Sequence, residues 1–349
     1  MSDDADSCGS GGGSTNYTGL RIASIFIIWV GGTAGTLFPV LAKRTSLAVP
    51  QSVFEFAKYF GSGVIIATAF IHLLSPALDE LGSDCLDPKW QDYPYALALA
   101  LLSIFLLFVA ELFAFRIGTA KLKRLGVPAY DAHGHGLGGH SAHGPESGHS
   151  PEPSDLERQQ QEAAIKAKID DSESALSQDT AEAMHSALAQ IIGIAILEFG
   201  VVLHSVLIGL TLAVDPDFKV LFVVLIFHQT FEGLGLGSRL AFLRLPGSHQ
   251  KSIPIIAALV YGLCTPIGIA AGLGVRTTYN PGSTTASIVS GVLDAISAGI
   301  LIYTGLVELL AHEFLFSPEM REASNGKVAY AVGCMALGIG LMALLGRWA

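Results

Sequence analysis

The sequence predicts an all-α membrane protein, a helical bundle of eight transmembrane helices with both termini outside. The chain has 349 residues, of which 51% are hydrophobic and only 14% are charged. Soluble domains contain about 25% charged residues, so this chain lacks the polar surface that a soluble fold of its size needs. Runs of about 18 or more apolar residues recur along it, and each can cross about 30 Å of hydrocarbon as a helix.

Eight apolar runs are the predicted transmembrane spans, and polar segments separate them. The spans cover residues 21–42, 55–78, 93–115, 187–213, 219–240, 253–274, 284–310 and 327–347. The chain therefore divides into a disordered outer tail at 1–20, helices one to three within 21–125, a polar loop at 126–180 and helices four to eight within 181–349.

Charged residues in the loops indicate how the spans are oriented. Lysine and arginine follow spans one, three, five and seven, whereas acidic residues follow spans two and four. The basic side of a membrane protein is usually cytosolic, so both termini are predicted to lie outside. The glycosylation sequon Asn16-Tyr17-Thr18 falls on that outer side. Cys8 and Cys85 also fall there, where they either form a disulfide or stay free.

Composition and motifs exclude several classes of partner. The net charge is −10, and no basic stripe with interleaved aromatic residues is present, so a nucleic-acid partner is not expected. No phosphate-binding loop of the G-x-x-x-x-G-K-[ST] type occurs, so no nucleotide is expected either. The expected partners are the lipid bilayer and divalent metal ions.

Ionisable residues inside spans four and five are the strongest functional signal. Each costs at least about 2.5–3.5 kcal/mol to insert into the membrane and therefore marks a candidate functional site. His228 and Glu232 in span five are four residues apart, which places an imidazole and a carboxylate on one helical face, about 6 Å apart at Cβ. His204 in span four can supply a third ligand, with the Ser205 or Gln229 oxygen nearby.

These residues favour a site for an exchangeable metal ion. Imidazole nitrogen together with carboxylate oxygen suits Zn²⁺ and also Fe²⁺. These residues do not complete the coordination shell of the ion, so the ion can dissociate again, as a transported ion must. The alternative for any one buried histidine is a hydrogen-bonded strut between helices. Two histidines and a glutamate on neighbouring spans favour the metal site over that alternative.

The strings His204-Ser205-Val-Leu-Ile-Gly209 and His228-Gln229-Thr-Phe-Glu232-Gly233 resemble the signature of the ZIP family of zinc- and iron-regulated transporter-like proteins. They are most similar to its plant and fungal plasma-membrane branch. The resemblance implies that His204, His228 and Glu232 bind the transported ion at mid-membrane. It also implies alternating access, with spans one, four, five and six moving against the rest. Ser205 and Ile208 stand on the face where many relatives hold a second metal, so one metal is expected.

Further polar residues in the spans are candidate pathway groups. Some of them stand at positions that are similar to positions assigned to metal entry or exit in the family. Others lie near the site or near the end of a span. These candidates are His72, Asp79, Glu111, Glu198, Glu308 and His312. In the polar loop, a flexible histidine tract predicts weak metal binding by composition. Its members, interpreted as a regulatory loop, are His133, His135, His140, His143 and His149.

The expected function is transport of Zn²⁺, with Fe²⁺ as a second cargo, into the cytosol across the plasma membrane by a protein that is not an enzyme. A homodimer is left open. One rival is a di-haem oxidoreductase that uses His72, His204, His228 and His312 as axial ligands. The other rival is a membrane metal sensor in which the histidine-rich loop is the working part.

Overall fold

The computed structural model contains eight helices that are long and apolar enough to cross a membrane. It describes residues 13–14, 16–45, 49–124, 195–243, 249–276 and 282–348, and no β-strand occurs among them. The helices are α1 (Thr18–Arg44), α2 (Gln51–Leu81), α3 (Tyr95–Arg124), α4 (Ala195–Val214), α5 (Phe218–Phe242), α6 (His249–Val275), α7 (Thr284–Phe316) and α8 (Asn325–Leu345). The predicted all-α fold with eight spans is confirmed.

Several boundaries differ from the sequence prediction. Helix α7 continues to Phe316, past the predicted end at 310, and α2 begins at Gln51 rather than at 55. At the end of the tail that was predicted to be disordered, Gly13 and Ser14 donate backbone hydrogen bonds to the carbonyls of Arg276 and Val214. These bonds tie the start of the described chain to the ends of α6 and α4.

Two of the helices change their winding, α2 in its second half and α7 in its final part. Thr68–Leu74 within α2 and Thr304–Phe316 within α7 are π-helical. A π-helical segment inserts an extra residue per turn, is uncommon, and is frequently found at functional sites. The segment in α2 contains His72, and the segment in α7 contains Glu308 and His312. Three of the candidate pathway residues therefore lie on π-helical backbone.

Close backbone packing holds α1 against α5. A Cβ atom added to Gly35 would lie 2.6 Å from the Thr230 carbonyl oxygen, and one added to Gly233 would lie 2.7 Å from the Thr36 hydroxyl oxygen. No side chain fits at either position, so glycine is what allows the two helices to approach. Small residues serve this purpose in lipid, where the hydrophobic effect does not drive helices together.

Apolar clusters flank the middle of α5 on both sides. Towards its start, Phe218 and Leu225 pack in one buried cluster with residues of α1, α4 and α6. Towards its end, Leu236 and Leu240 pack in a second buried cluster. His228, Gln229 and Glu232 of α5 lie between these two clusters, so apolar side chains separate these three residues from both helix ends.

The chain forms two compact units, Met1–Ala110 with Ile191–Ala349, and Glu111–Gln190. Every site residue discussed below, apart from Glu111, belongs to the first unit. Of the second unit the structure describes residues 111–124, which are helical. The five histidines of the predicted regulatory loop lie outside the described residues, and so does Cys8. Cys85 is disulfide-bonded, whereas Cys264 and Cys334 are free and buried.

Candidate metal centre

Three side chains from two neighbouring helices converge in the middle of the bundle. His204 on α4 and His228 and Glu232 on α5 each offer one ligand atom, and these atoms lie within 4.8 Å of one another. The two imidazole Nε2 atoms are 3.3 Å apart, and His228 Nε2 is 3.2 Å from Glu232 Oε1. All three residues are buried. In the part of the chain that the structure describes, no other group of histidine, cysteine and acidic residues has this geometry.

The placement of these residues follows from helix geometry. Residues 215–217 connect α4 to α5, so the two helices run in opposite directions side by side. His204 lies ten residues before the end of α4, and His228 lies ten residues after the start of α5. At 1.5 Å per residue each histidine is about 15 Å from the helix end, half the thickness of the hydrocarbon core. Glu232 is one helical turn beyond His228 and therefore on the same face.

Polar atoms at this centre lack hydrogen-bond partners. Both oxygens of Glu232, Nδ1 of His228, the Ser205 hydroxyl and both amide atoms of Gln229 are buried without one. Buried polar groups in proteins are nearly always hydrogen-bonded, because leaving one unpaired costs about 1–3 kcal/mol. The carboxylate, hydroxyl and amide oxygens and the imidazole nitrogen in this set can each donate a lone pair to a cation, whereas the Gln229 amide nitrogen cannot.

The five residues that the sequence predicted as ligands are thus all buried in the same region. The structure brings His204, His228 and Glu232 together as a group of ligand atoms. The side chain of Gln229 lies against α1, since a Cβ atom on Gly32 would be 2.9 Å from Gln229 Cγ. Ser205 is adjacent to His204 and fully buried, and its hydroxyl is unpaired.

His72 is the candidate pathway residue that touches the centre. Its ring packs edge-on against the His228 ring at 4.6 Å between centroids, and its Nε2 lies 3.0 Å from the Met342 carbonyl oxygen of α8. Asp79 is exposed, and Glu198, Glu308, His312 and Glu111 are partly buried. Of these, Glu198 lines a cavity of about 400 Å³ between α4 and α6.

The histidine geometry argues against the haem alternative. His204 and His228 have ring centroids 5.4 Å apart, and His72 contacts His228 directly. Axial haem ligands must instead stand on opposite faces of a macrocycle, and the His228 ring, which contacts two other histidine rings and a carboxylate, leaves no room for one. The arrangement fits a single small ion.

Sequence reasoning missed Asp294 on α7. Its Oδ1 lies 3.8 Å from His204 Nδ1, the residue is buried, and that oxygen has no hydrogen-bond partner. The signal was in the sequence, since Asp294 is a carboxylate inside the predicted span 284–310. It also lies ten residues after the start of α7, which places it at the same depth as the two histidines.

Comparisons with known proteins show which family the chain belongs to. A sequence model of the family described as ZIP Zinc transporter matches residues 18–346. Among curated proteins, the chain is 42% identical to Zinc-regulated transporter 1 of Saccharomyces cerevisiae, covering 95% of this chain and 88% of the relative.

Two further relatives match over almost the whole chain. Zinc-regulated transporter 1 of Schizosaccharomyces pombe is 40% identical, covering 99% of this chain and 91% of the relative. Zinc-regulated transporter 2 of Saccharomyces cerevisiae is 37% identical, covering 99% and 98%. With eight apolar helices, these matches show that the chain is a multi-pass membrane protein that belongs to the ZIP family of zinc transporters.

Proposed function

We propose that this chain carries Zn²⁺ across its membrane and that the ion binds at His204, His228 and Glu232 on the way. The observation that carries the proposal is a buried carboxylate next to two imidazoles, with lone-pair atoms unpaired at the centre of the bundle. Zn²⁺ must exchange its hydration shell for protein ligands before it can cross hydrocarbon, because an unpaired buried charge is very costly. This centre offers such ligands at the depth where they are needed.

The nature of the relatives supports zinc as the cargo. The family is described as zinc transporters, and the relatives are named as zinc-regulated transporters. Fe²⁺ accepts the same donor atoms, but the three relatives described above are named for zinc. Transport of Fe²⁺ therefore stays a prediction. Competition between Fe²⁺ and Zn²⁺ in the zinc-uptake assay tests it.

The proposed direction is towards the cytosol. A dication that moves inward across an inside-negative membrane gains about 4.6 kcal/mol per 100 mV, twice the value for a single charge. We place the protein in the plasma membrane with both termini outside, on the strength of the loop charges and the resemblance to the plasma-membrane branch. Transport needs a single chain under this proposal, whether or not the protein forms a homodimer.

Uptake of isotopic zinc into proteoliposomes tests the site. His204→Ala and Glu232→Gln each remove one ligand, and we expect uptake to fall more than the about 10–100-fold that is typical for residues around metal ligands. Val223→Ala is the matched control, because Val223 lies on the same helix as Glu232 but is 53% exposed on the outer face of the bundle. Its uptake should stay within about twofold of wild type. Unchanged uptake in both ligand variants would refute the site.

Deletion of residues 131–150 separates the carrier from the metal-sensor alternative. These residues contain the five loop histidines. A carrier that works through the mid-membrane site should retain zinc uptake in proteoliposomes without them. Under the sensor alternative, in which the histidine-rich loop is the working part, the deletion should instead abolish metal-dependent signalling by the chain.

A further inference from the structure

The two nitrogen atoms of the His204 ring face different groups. Nε2 is 3.3 Å from His228 Nε2 and points into the ligand group. Nδ1 is 3.8 Å from Asp294 Oδ1 on α7. An imidazole that binds a metal through one nitrogen carries its proton on the other. If Nε2 is the ligand atom, the proton is on Nδ1 and points towards the Asp294 carboxylate.

Asp294 lies on the far side of the ring from the converging ligand atoms. The group of atoms within 4.8 Å of one another comprises atoms of His204, His228 and Glu232 and does not include an Asp294 oxygen. Asp294 is therefore placed to act through His204 rather than to bind the ion itself. A metal-binding histidine is usually held by a hydrogen bond from its second ring nitrogen to a group such as a carboxylate.

A carboxylate at this depth has no other evident partner in the described part of the first unit. Asp294 is 8% exposed and lies about 15 Å along α7 from its start, near mid-membrane. Oδ1 forms no hydrogen bond, and the only cationic or potentially cationic group in ion-pair range is His204. Because a buried carboxylate costs stability unless something stabilises it, its position beside a ligand calls for a functional explanation.

We propose that Asp294 is a positioning residue of the zinc site, which accepts a hydrogen bond from His204 Nδ1 and so presents Nε2 to the ion. This hydrogen bond requires the two atoms, which are 3.8 Å apart in the structure, to approach to about 3 Å. The carboxylate fixes the tautomer and the orientation of the ring, and it raises the basicity of Nε2. This inference rests on the proposed function. It also adds a residue from α7 to a site otherwise built by α4 and α5.

The negative charge of Asp294 should also favour zinc binding. A Zn²⁺ ion bound by two neutral imidazoles and Glu232 leaves one positive charge in the low-dielectric interior. Asp294 supplies a second negative charge within a few ångströms of His204, which balances the ion. Charge-assisted hydrogen bonds are roughly twice as strong as neutral ones. An asparagine at 294 should therefore support His204 less well than aspartate, and a leucine should not support it at all.

Zinc binding to the purified full-length protein in detergent tests the inference. Affinity is measured by competition with a chelating dye for wild type, Asp294→Asn, Asp294→Leu and Asp294→Glu. We expect Asp294→Leu to bind zinc about 10–100-fold more weakly than wild type, Asp294→Asn to lie between the two, and Asp294→Glu to recover part of the loss. Val289→Ala on the lipid face of α7, where Val289 is 49% exposed, should bind like wild type.

Two further measurements distinguish positioning from a structural role. The thermal midpoint of the metal-free protein should not fall in Asp294→Asn or Asp294→Leu. The absorption spectrum of bound Co²⁺ should change in both variants, because the imidazole ligand is oriented differently. Wild-type zinc affinity in Asp294→Leu overturns the inference, and so does an affinity loss that is matched by an equal loss of metal-free stability.

Failure of this inference differs from failure of the proposed function. If His204→Ala and Glu232→Gln abolish zinc binding while Asp294→Leu binds like wild type, the ligand site stands and the role of Asp294 is refuted. If zinc binding persists unchanged in His204→Ala and Glu232→Gln, the site itself is wrong, and the inference about Asp294 is refuted with it.

Discussion

Two carboxylates with little solvent exposure, Glu232 on α5 and Glu313 on α7, have opposite surroundings. The Glu313 side chain is 9% exposed and accepts two cations, with Arg239 Nη1 at 2.7 Å and Lys58 Nζ at 3.5 Å. The Glu232 side chain is 2% exposed, and among the described residues its ion-pair partner is the His228 imidazole, with no lysine or arginine in range. Both helices are transmembrane and both acids are costly to bury. What differs is whether the chain itself supplies the counter-charge.

The difference shows what each carboxylate does. Glu313 and its cations join the ends of α2, α5 and α7, since Arg239 also donates to the Ser62 hydroxyl. A fixed lysine or arginine makes such a group structural, because its charge is balanced at all times. Under the proposed function, the charge of Glu232 is balanced only when the transported ion is bound. A buried acid without a fixed cation is therefore the better indicator of a transport site.

The largest expected effect on stability comes from breaking the ion pairs of Glu313. Glu313→Met leaves Arg239 and Lys58 without their partner, and we expect the free energy of unfolding to fall by about 3 kcal/mol, the lower end of the range for a broken buried pair. Thermal unfolding in detergent measures this. The double variant Arg239→Met with Glu313→Met should lose less than the two single variants summed. An additive double variant would show that the pair is not coupled.

Zinc binding should produce the next largest effect. A ligand present at 100 times its dissociation constant stabilises the folded state by about 2.7 kcal/mol, so zinc should raise the thermal midpoint of wild type. In Glu232→Met this increase should vanish. In Glu313→Met zinc should raise the thermal midpoint as it does in wild type, but from a lower metal-free value. If zinc stabilises Glu232→Met as much as wild type, the contrast between the two carboxylates has no functional meaning.

The smallest effect is expected at an exposed carboxylate. Glu319 lies between α7 and α8 with its side chain 67% exposed, and Lys327 Nζ contacts Glu319 Oε1 at 2.6 Å. That hydrogen bond lowers the pKa of Glu319 below its ordinary value. A lowered folded-state pKa stabilises the protein above the unfolded-state value of about 4.3, and this contribution is lost as the pH falls through the folded-state pKa.

Glu319→Gln should therefore lower the thermal midpoint only slightly at pH 7, because solvent screens exposed ion pairs. The small difference from wild type should shrink as the pH is lowered from 5 to 3. Zinc uptake at pH 7 should be unchanged. A loss at Glu319 as large as that at Glu313 would show that burial does not govern the strength of these pairs.

Much of the site could be predicted from local patterns. His228 and Glu232 share a face because they are four residues apart on one helix, and that spacing holds wherever the helix packs. His204 joined them because a three-residue connection forces α4 and α5 to be neighbours. Asp294 could have been predicted as a candidate functional residue because it is a carboxylate inside a span. Its contact with His204 could not be predicted, since no short connection joins α7 to α4.

By itself, the sequence determined that this chain is a bundle of eight membrane helices, because crossing a bilayer depends on the length and apolarity of continuous segments. It also determined that two imidazoles and a carboxylate lie inside neighbouring apolar spans, where they are candidate metal ligands. Only the tertiary structure decided which acids have fixed cations, where His72 packs and what faces the second nitrogen of His204. Those facts depend on contacts between helices that are distant in sequence, and such contacts are set by the packing of whole helix faces.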